Sequence, residues 1–311
     1  MSTPEPIREV TLRPPGVPDN GGGKPTSDPT TIICKGPVAA NGVEMQVLTT
    51  DPPVASSKPP IIVGIPTYVV TNMAQLFDAV LMVNGIFATR PWWRGHAKQE
   101  WKVTPSIYHK QKAASEGNMA VQFGLRGAVR MANPPDGGHG RWLLLMQHHG
   151  LPTRLLDWSE SPLVALFFAV REEEYFGSDG ALWALKPNQL NQSQIGKPLM
   201  YGVKHPTVAP LFDAAFSLQK AKTGKTLAIC TDHTDLRQMV QASQFTIHGE
   251  DKPLEEDPSA PQFMVRITIP HGAKAVLKNY LGALGICESA LFPDLDHLAK
   301  EVAAMGFAPD E

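Results

Sequence analysis

In the run "RPWWRGHAKQEW", Arg94 follows two tryptophans and precedes Gly95. A guanidinium is a planar fork of donors matched to carboxylate or phosphate, and a tryptophan face attracts cations and offers a large apolar surface. Glycine lets another group approach the backbone closely. Together these suit an anion or cofactor clamp; an arginine stacked on tryptophan, with glycine at a turn, is the ordinary alternative. A second concentration lies in "QHHGLPTRLLDWSESPLVALFFA" at 147–169. His148 and His149 are candidate ligands or acid–base groups. Adjacent histidines point in different directions, however, and no HExxH-type spacing accompanies them, so a helix-end cap or interior hydrogen bond is the simpler role and no metal ligand set is expected. Asp157 precedes an apolar helix, where its charge complements the helix N-terminus without any catalytic duty. In "GICESALFPDLDHLAKEV" at 285–302, Glu288 is flanked by Ile286, Cys287, Ala290, Leu291 and Phe292. A carboxylate in that setting must be paired or face a cleft. Cys287 has no histidine at a spacing that would make it a nucleophile. The chain contains no GxxxxGK[ST], GxGxxG or GxSxG.

The elements that must position these residues are partly readable. "NMAQLFDAVLMV" at 72–83 places Met73, Leu76, Phe77, Val80 and Leu81 at helical spacing, and helices are expected also near 117–132 and over 141–150, with Gly150 as a C-terminal stop. Ser161-Pro162 gives an N-cap followed by proline at the first helical position, opening the apolar "PLVALFFAV". Strands are expected at 181–186, 226–230, 244–248 and 263–269, the last with the period-two alternation of a half-buried strand. Helices follow over 272–284 and 294–305. Helices first and strands later argue for an α+β fold rather than repeated βαβ units.

The 311 residues allow one large domain or two modest ones. Of the 29 prolines, 13 fall in residues 1–66, beside "NGGGKPTSDPTT", which favours an extended or turn-rich segment, partly disordered or docked. The apolar pieces "TIIC" at 31–34 and "MQVLTT" at 45–50 could be strands docked on the rest, and the boundary of the folded domain is set near residue 66, giving a domain at 67–311. A net charge of −2 provides no broad footprint for nucleic acid, although Lys102, Lys110 and Lys112 form a local basic cluster. Three scattered cysteines without CxxC spacing suit a reducing compartment, and no run of eighteen apolar residues or basic-then-apolar N-terminus is present. A soluble, cytoplasmic protein with no membrane association is expected.

Four separated blocks carry a resemblance that these patterns do not. Trp93-Arg94-Gly95 with "TPSIYHK" at 104–110, "QHHGLPTRLLDWSESPLVALFFAV" at 147–170, "RQMVQASQFTIHG" at 237–249 and "GICESALFPDLDHLAK" at 285–300 resemble the FRG domain, in order, over roughly residues 72–305. A more distant similarity is to ADP-ribosyltransferases of the Arg-Ser-Glu class. There an aromatic-Arg-Gly strand is followed by a Ser-Thr-Ser strand end, then a helix with alanine and Phe-Ala at set offsets, and finally a glutamate. Here Arg94-Gly95 is followed by Asp157-Trp158-Ser159, with Ala165 six residues and Phe168-Ala169 nine and ten residues after Ser159, and then by Glu288. Asp157 departs from the pattern by standing where that motif has its first serine.

The resemblance implies a mixed or antiparallel split sheet and NAD as substrate, with ADP-ribose passed to a macromolecular acceptor, such as a protein, or to water. Glu288, Arg94, Asp157 and Ser159 become the catalytic candidates; Arg94, Gly95, Trp93, Trp158, His148 and Arg154 become candidates for contact with the dinucleotide. It equally allows a non-catalytic nucleotide- or protein-binding module on the same fold.

Overall fold

The computed structural model describes residues 64–109, 115–135, 138–217, 224–231 and 235–304. The docked strands expected at 31–34 and 45–50 lie outside these residues. The described chain is α+β, with a mixed sheet of eight strands: β1 Thr67–Val69, β2 Trp92–His96, β3 Leu155–Ser159, β4 Gly180–Leu185, β5 Tyr201–Gly202, β6 Thr226–Cys230, β7 Ser243–His248 and β8 Met264–Ile269. Their order across the sheet is β1-β8-β4-β2-β3-β7-β6-β5. The β1–β8 and β5–β6 pairs are parallel and the others antiparallel.

One seam sets the architecture. Along β2 and β4 every residue from Trp92 to His96 has a partner, and β4 pairs with β8 from Gly180 to Leu185. Between β2 and β3 the register holds only at Trp93 opposite Ser159. The sheet is therefore two four-stranded halves that meet at one point and part beyond it.

Local signals explain the helices on either side. Helix Met73–Phe87 starts where the Asn72 side chain accepts a hydrogen bond from the Gln75 amide; it buries Met73 and Leu76 as expected, but the face turns through Ala79, Val83 and Phe87, and Phe77 and Leu81 are exposed. Helix Pro162–Val170 starts at Ser161, whose hydroxyl accepts from the Val164 amide. Glu116–Ala128 and His139–His148 occupy the expected positions, and Gly150 takes a φ of 76° just beyond the second.

The sequence order of helices and then strands is corrected in one respect. β2 and β3 lie within the first, helix-rich part; β2 does not alternate in hydrophobicity, and in β3 the alternation runs only over Leu156-Asp157-Trp158-Ser159. Trp92 and Trp93 point to opposite faces of β2 and both are buried, so the strand opens without an apolar–polar contrast, although Arg94 and His96 share the face of Trp92. Each joins a different cluster: Trp93 packs with Ala165, Leu182 and Val265, and Trp92 with Trp158, Trp183 and Phe263. Removing a tryptophan-sized surface from water stabilises the fold by up to about 4–6 kcal/mol. Helices Pro187–Ile195 and Ala209–Phe216 complete the second half and were not expected from periodicity.

Candidate functional site

Where β2 and β3 part, a cavity of about 290 Å³ opens. Arg94, Gly95, Asp157 and Ser159 line it, with one side supplied by the helix Pro162–Val170. The seam explains the opening. Past the Trp93–Ser159 pair, Arg94 reaches across to β3 with its side chain instead of its backbone, and its Nη1 donates to the Asp157 carbonyl at 2.6 Å.

The rest of Arg94 is set from its own strand. Its Nε donates to His96 Nε2 at 3.1 Å. Because that nitrogen accepts, the His96 proton sits on Nδ1, which donates to the Trp101 carbonyl at 3.2 Å. His96 is buried, and burial together with the Arg94 charge holds its pKa at about 3, so the ring is neutral. His248 is buried too and is held at about 3, first by burial and then by Arg94. Burial draws the pKa of Arg94 itself below the ordinary arginine value, and Asp157 opposes the shift. A neutral histidine and a backbone carbonyl thus hold the guanidinium, and a second neutral histidine feels its charge. Among the described residues no carboxylate lies within 4.0 Å of the guanidinium.

Gly95 is indispensable for a packing reason. A Cβ there would overlap the carbonyl oxygen of Ala165 and come within 2.8 Å of the Ala169 nitrogen, so the close approach that glycine permits is by the backbone of the helix. This also explains the alanines six and ten residues beyond Ser159: they keep that helix face small. Asp157 turns its Oδ2 to Gln147 Nε2 at 2.6 Å, and Gln147 Oε1 accepts from Thr153 Oγ1 at 2.5 Å, which fixes the carboxylate at the cavity wall. Ser159 is buried and fully engaged: its hydroxyl donates to the Gln241 carbonyl at 2.7 Å and accepts from the Ser161 amide at 2.9 Å. Trp93 and Trp158 line the cavity, but both are mainly core, and the Trp158 indole donates to Thr246 Oγ1 at 3.0 Å.

Three sequence candidates do not line the cavity. Arg154 is buried in an ion pair, its Nη2 2.6 Å from Glu116 Oε2 and its Nε bonded to both carboxylate oxygens, so it has no fork left for a ligand. His148 lies at the end of its helix with Nδ1 3.3 Å from Asp235 Oδ2. Glu288 begins the short helix Glu288–Leu291 with its side chain half exposed, and it lines an adjacent depression with Cys287 and His297. It is joined to the cavity indirectly, since Arg171 lines the cavity and places its Nη2 3.6 Å from Glu288 Oε1.

Sequence reasoning passed over Gln147, Arg171, Arg237 and Gln241, all on the wall. Gln147 opens one of the quoted blocks, Arg171 follows it, and the other two lie in the block at 237–249, so their positions carried a signal even though their side chains are ordinary.

Among the described residues no helix is long and apolar enough to cross a membrane. No curated protein and no solved structure matches the chain. The family model described as FRG domain matches residues 89–177. β2, the Asp157–Ser159 strand end and the helix that presses on Gly95 all fall within that match, and so does the greater part of the cavity wall.

Proposed function

We propose that the cavity at the β2–β3 seam binds NAD and that the protein is an NAD-consuming ADP-ribosyltransferase, passing ADP-ribose to a macromolecular acceptor or, as a glycohydrolase, to water. The observation that carries this reading is the convergence of Arg94, which lacks a counterion among the described residues, with the Asp157–Ser159 strand end on one cavity. The order and offsets of these residues resemble those of the Arg-Ser-Glu transferases, whose split sheet the parted halves also resemble. About 290 Å³ lies at the lower edge of small-molecule sites, which run from about 300 to 1,000 Å³. That volume suits the nicotinamide-ribosyl end of the dinucleotide, with the remainder extending through the mouth.

The chemistry follows from the groups present. Heterolysis of the bond between ribose C1′ and the nicotinamide nitrogen sends the electron pair to nicotinamide and leaves oxocarbenium character on the sugar. A fixed carboxylate stabilises that charge better than water does, because it is already oriented when the charge develops. In this reading Asp157, held by Gln147, supports the sugar, and Glu288 beside the mouth orients the acceptor and takes its proton. Arg94 holds the phosphate nearest the reacting ribose.

The test is nicotinamide release from NAD, alone and with cell lysate. Asp157→Asn and Glu288→Gln should each lower the rate about 100-fold or more, and Arg94→Lys should raise KM. Wild-type protein that neither binds nor consumes NAD defeats the proposal. One observation favours a second reading, a binding module without turnover: Glu288 lines the neighbouring depression, outside the cavity. That version predicts NAD binding with no nicotinamide release and an affinity unchanged by Glu288→Gln.

A further inference from the structure

We infer that Arg171 and Arg237 form a second anion subsite at the cavity mouth, built for the diphosphate of a nucleotide; the inference rests on the NAD reading above for the identity of that nucleotide. Both arginines line the cavity, although they come from different parts of the chain. Both also lie near one buried ring: the Arg237 guanidinium carbon is 4.5 Å and the Arg171 carbon 5.4 Å from the Phe292 centroid, and the His297 ring stacks on the same phenylalanine. Like charges repel, so an anion between or beside two guanidiniums gathered near one ring favours the arrangement.

The protein supplies little of that anion. Arg237 has no carboxylate within 4.0 Å among the described residues. Its neighbour Asp235 is committed elsewhere, with Oδ1 capping the helix Leu236–Val240 at the Gln238 amide and Oδ2 facing His148. Arg171 stands 3.4 Å from Glu172 and 3.6 Å from Glu288, longer than the roughly 2.7–2.9 Å of a strong charge-assisted bond. Contact with Phe292 helps set where the two guanidiniums sit, and the long distances from Arg171 to its two glutamates leave it able to engage a closer oxyanion. The dinucleotide has one diphosphate, so in this arrangement Arg94 engages the phosphate nearest the reacting ribose, and Arg171 and Arg237 engage the diphosphate from its outer side.

Titration calorimetry on the full chain tests this with three probes: ADP-ribose, inorganic pyrophosphate and nicotinamide riboside. Arg237→Gln and Arg171→Gln should each weaken ADP-ribose and pyrophosphate at least tenfold and leave nicotinamide riboside unchanged. Arg237→Lys, which keeps the charge and loses the fork, should fall between, and it serves if the glutamine variant does not fold. ADP-ribose bound equally well by wild type and both glutamine variants, or not bound by wild type at all, overturns the subsite. The two proposals fail separately. Arginine-dependent ADP-ribose binding without NAD consumption keeps the subsite and defeats the enzyme; NAD consumption with an unaltered KM in Arg237→Gln does the reverse.

Discussion

Arg94 and Arg154 were both candidates for contact with the dinucleotide, Arg94 also for catalysis, yet they live under opposite electrostatic conditions. Arg154 is buried and carries its counterion with it, Glu116, through three of the hydrogen bonds around its guanidinium. Arg94 is met by a carbonyl and by a histidine kept neutral, while the nearest acidic side chain, Asp157, is turned toward Gln147. An arginine whose countercharge is built in holds a fold together; one whose countercharge is missing is available to a ligand.

The sharpest way to break that contrast is Arg154→Ala. It strands the Glu116 carboxylate in the interior and should cost about 3–5 kcal/mol, read by chemical denaturation, without altering NAD affinity in the protein that remains folded. A stability within about 1 kcal/mol of wild type would mean that Arg154 is not the structural member of the two. Next in size is Gly95→Ala on the Arg94 side. Its methyl group meets helix backbone, which cannot rotate away, so a loss of about 3 kcal/mol and a lower Tm are expected. An unchanged Tm would show that the helix can move off the strand.

Smaller, and confined to the Arg94 side, is the response to acid. His96 and His248 have folded values of about 3 against an ordinary value of about 6.5. Between those limits the unfolded chain binds protons that the folded one does not, so stability is full above about pH 6.5 and falls as the pH drops toward 3. Going from pH 6.5 to 5 should cost about 1.6 kcal/mol for each histidine. Flat stability across that interval would mean that the two rings are not buried in their neutral forms.

These two arginines also mark how far the sequence could be read. Helices that expose one face, such as Met73–Phe87, were legible because period and cap agree, and the Ser161-Pro162 start held for the same reason. β2 and β3 were legible through the resemblance, as an aromatic-Arg-Gly strand and a strand end at 157–159, and not through periodicity, because both are short and β2 opens with tryptophans buried on opposite faces. Nothing local separates Arg94 from Arg154, since the deciding partner, Glu116, lies 38 residues upstream. The close approach at Gly95 was legible as a requirement, but its neighbour was not: the group that comes near belongs to a helix some seventy residues on, and only the fold brings it there. Arg171 and Arg237 were passed over because their meaning depends on sharing Phe292, a relation between three distant segments.

The Ser159 hydroxyl has a wider effect than its place on the wall. It donates to the Gln241 carbonyl, 82 residues on, and the Gln241 side chain in turn donates at 2.9 Å to the carbonyl of Leu291, 50 residues further. The short helix that starts at Glu288 is thereby tethered to the end of β3. Such a wall cannot be exchanged piecemeal. A chimera that takes the 285–300 block from a relative while keeping its own 237–249 block inherits a glutamate with no assigned place to stand, so recombination among relatives should preserve these two blocks and the 155–159 strand as a single heritable unit.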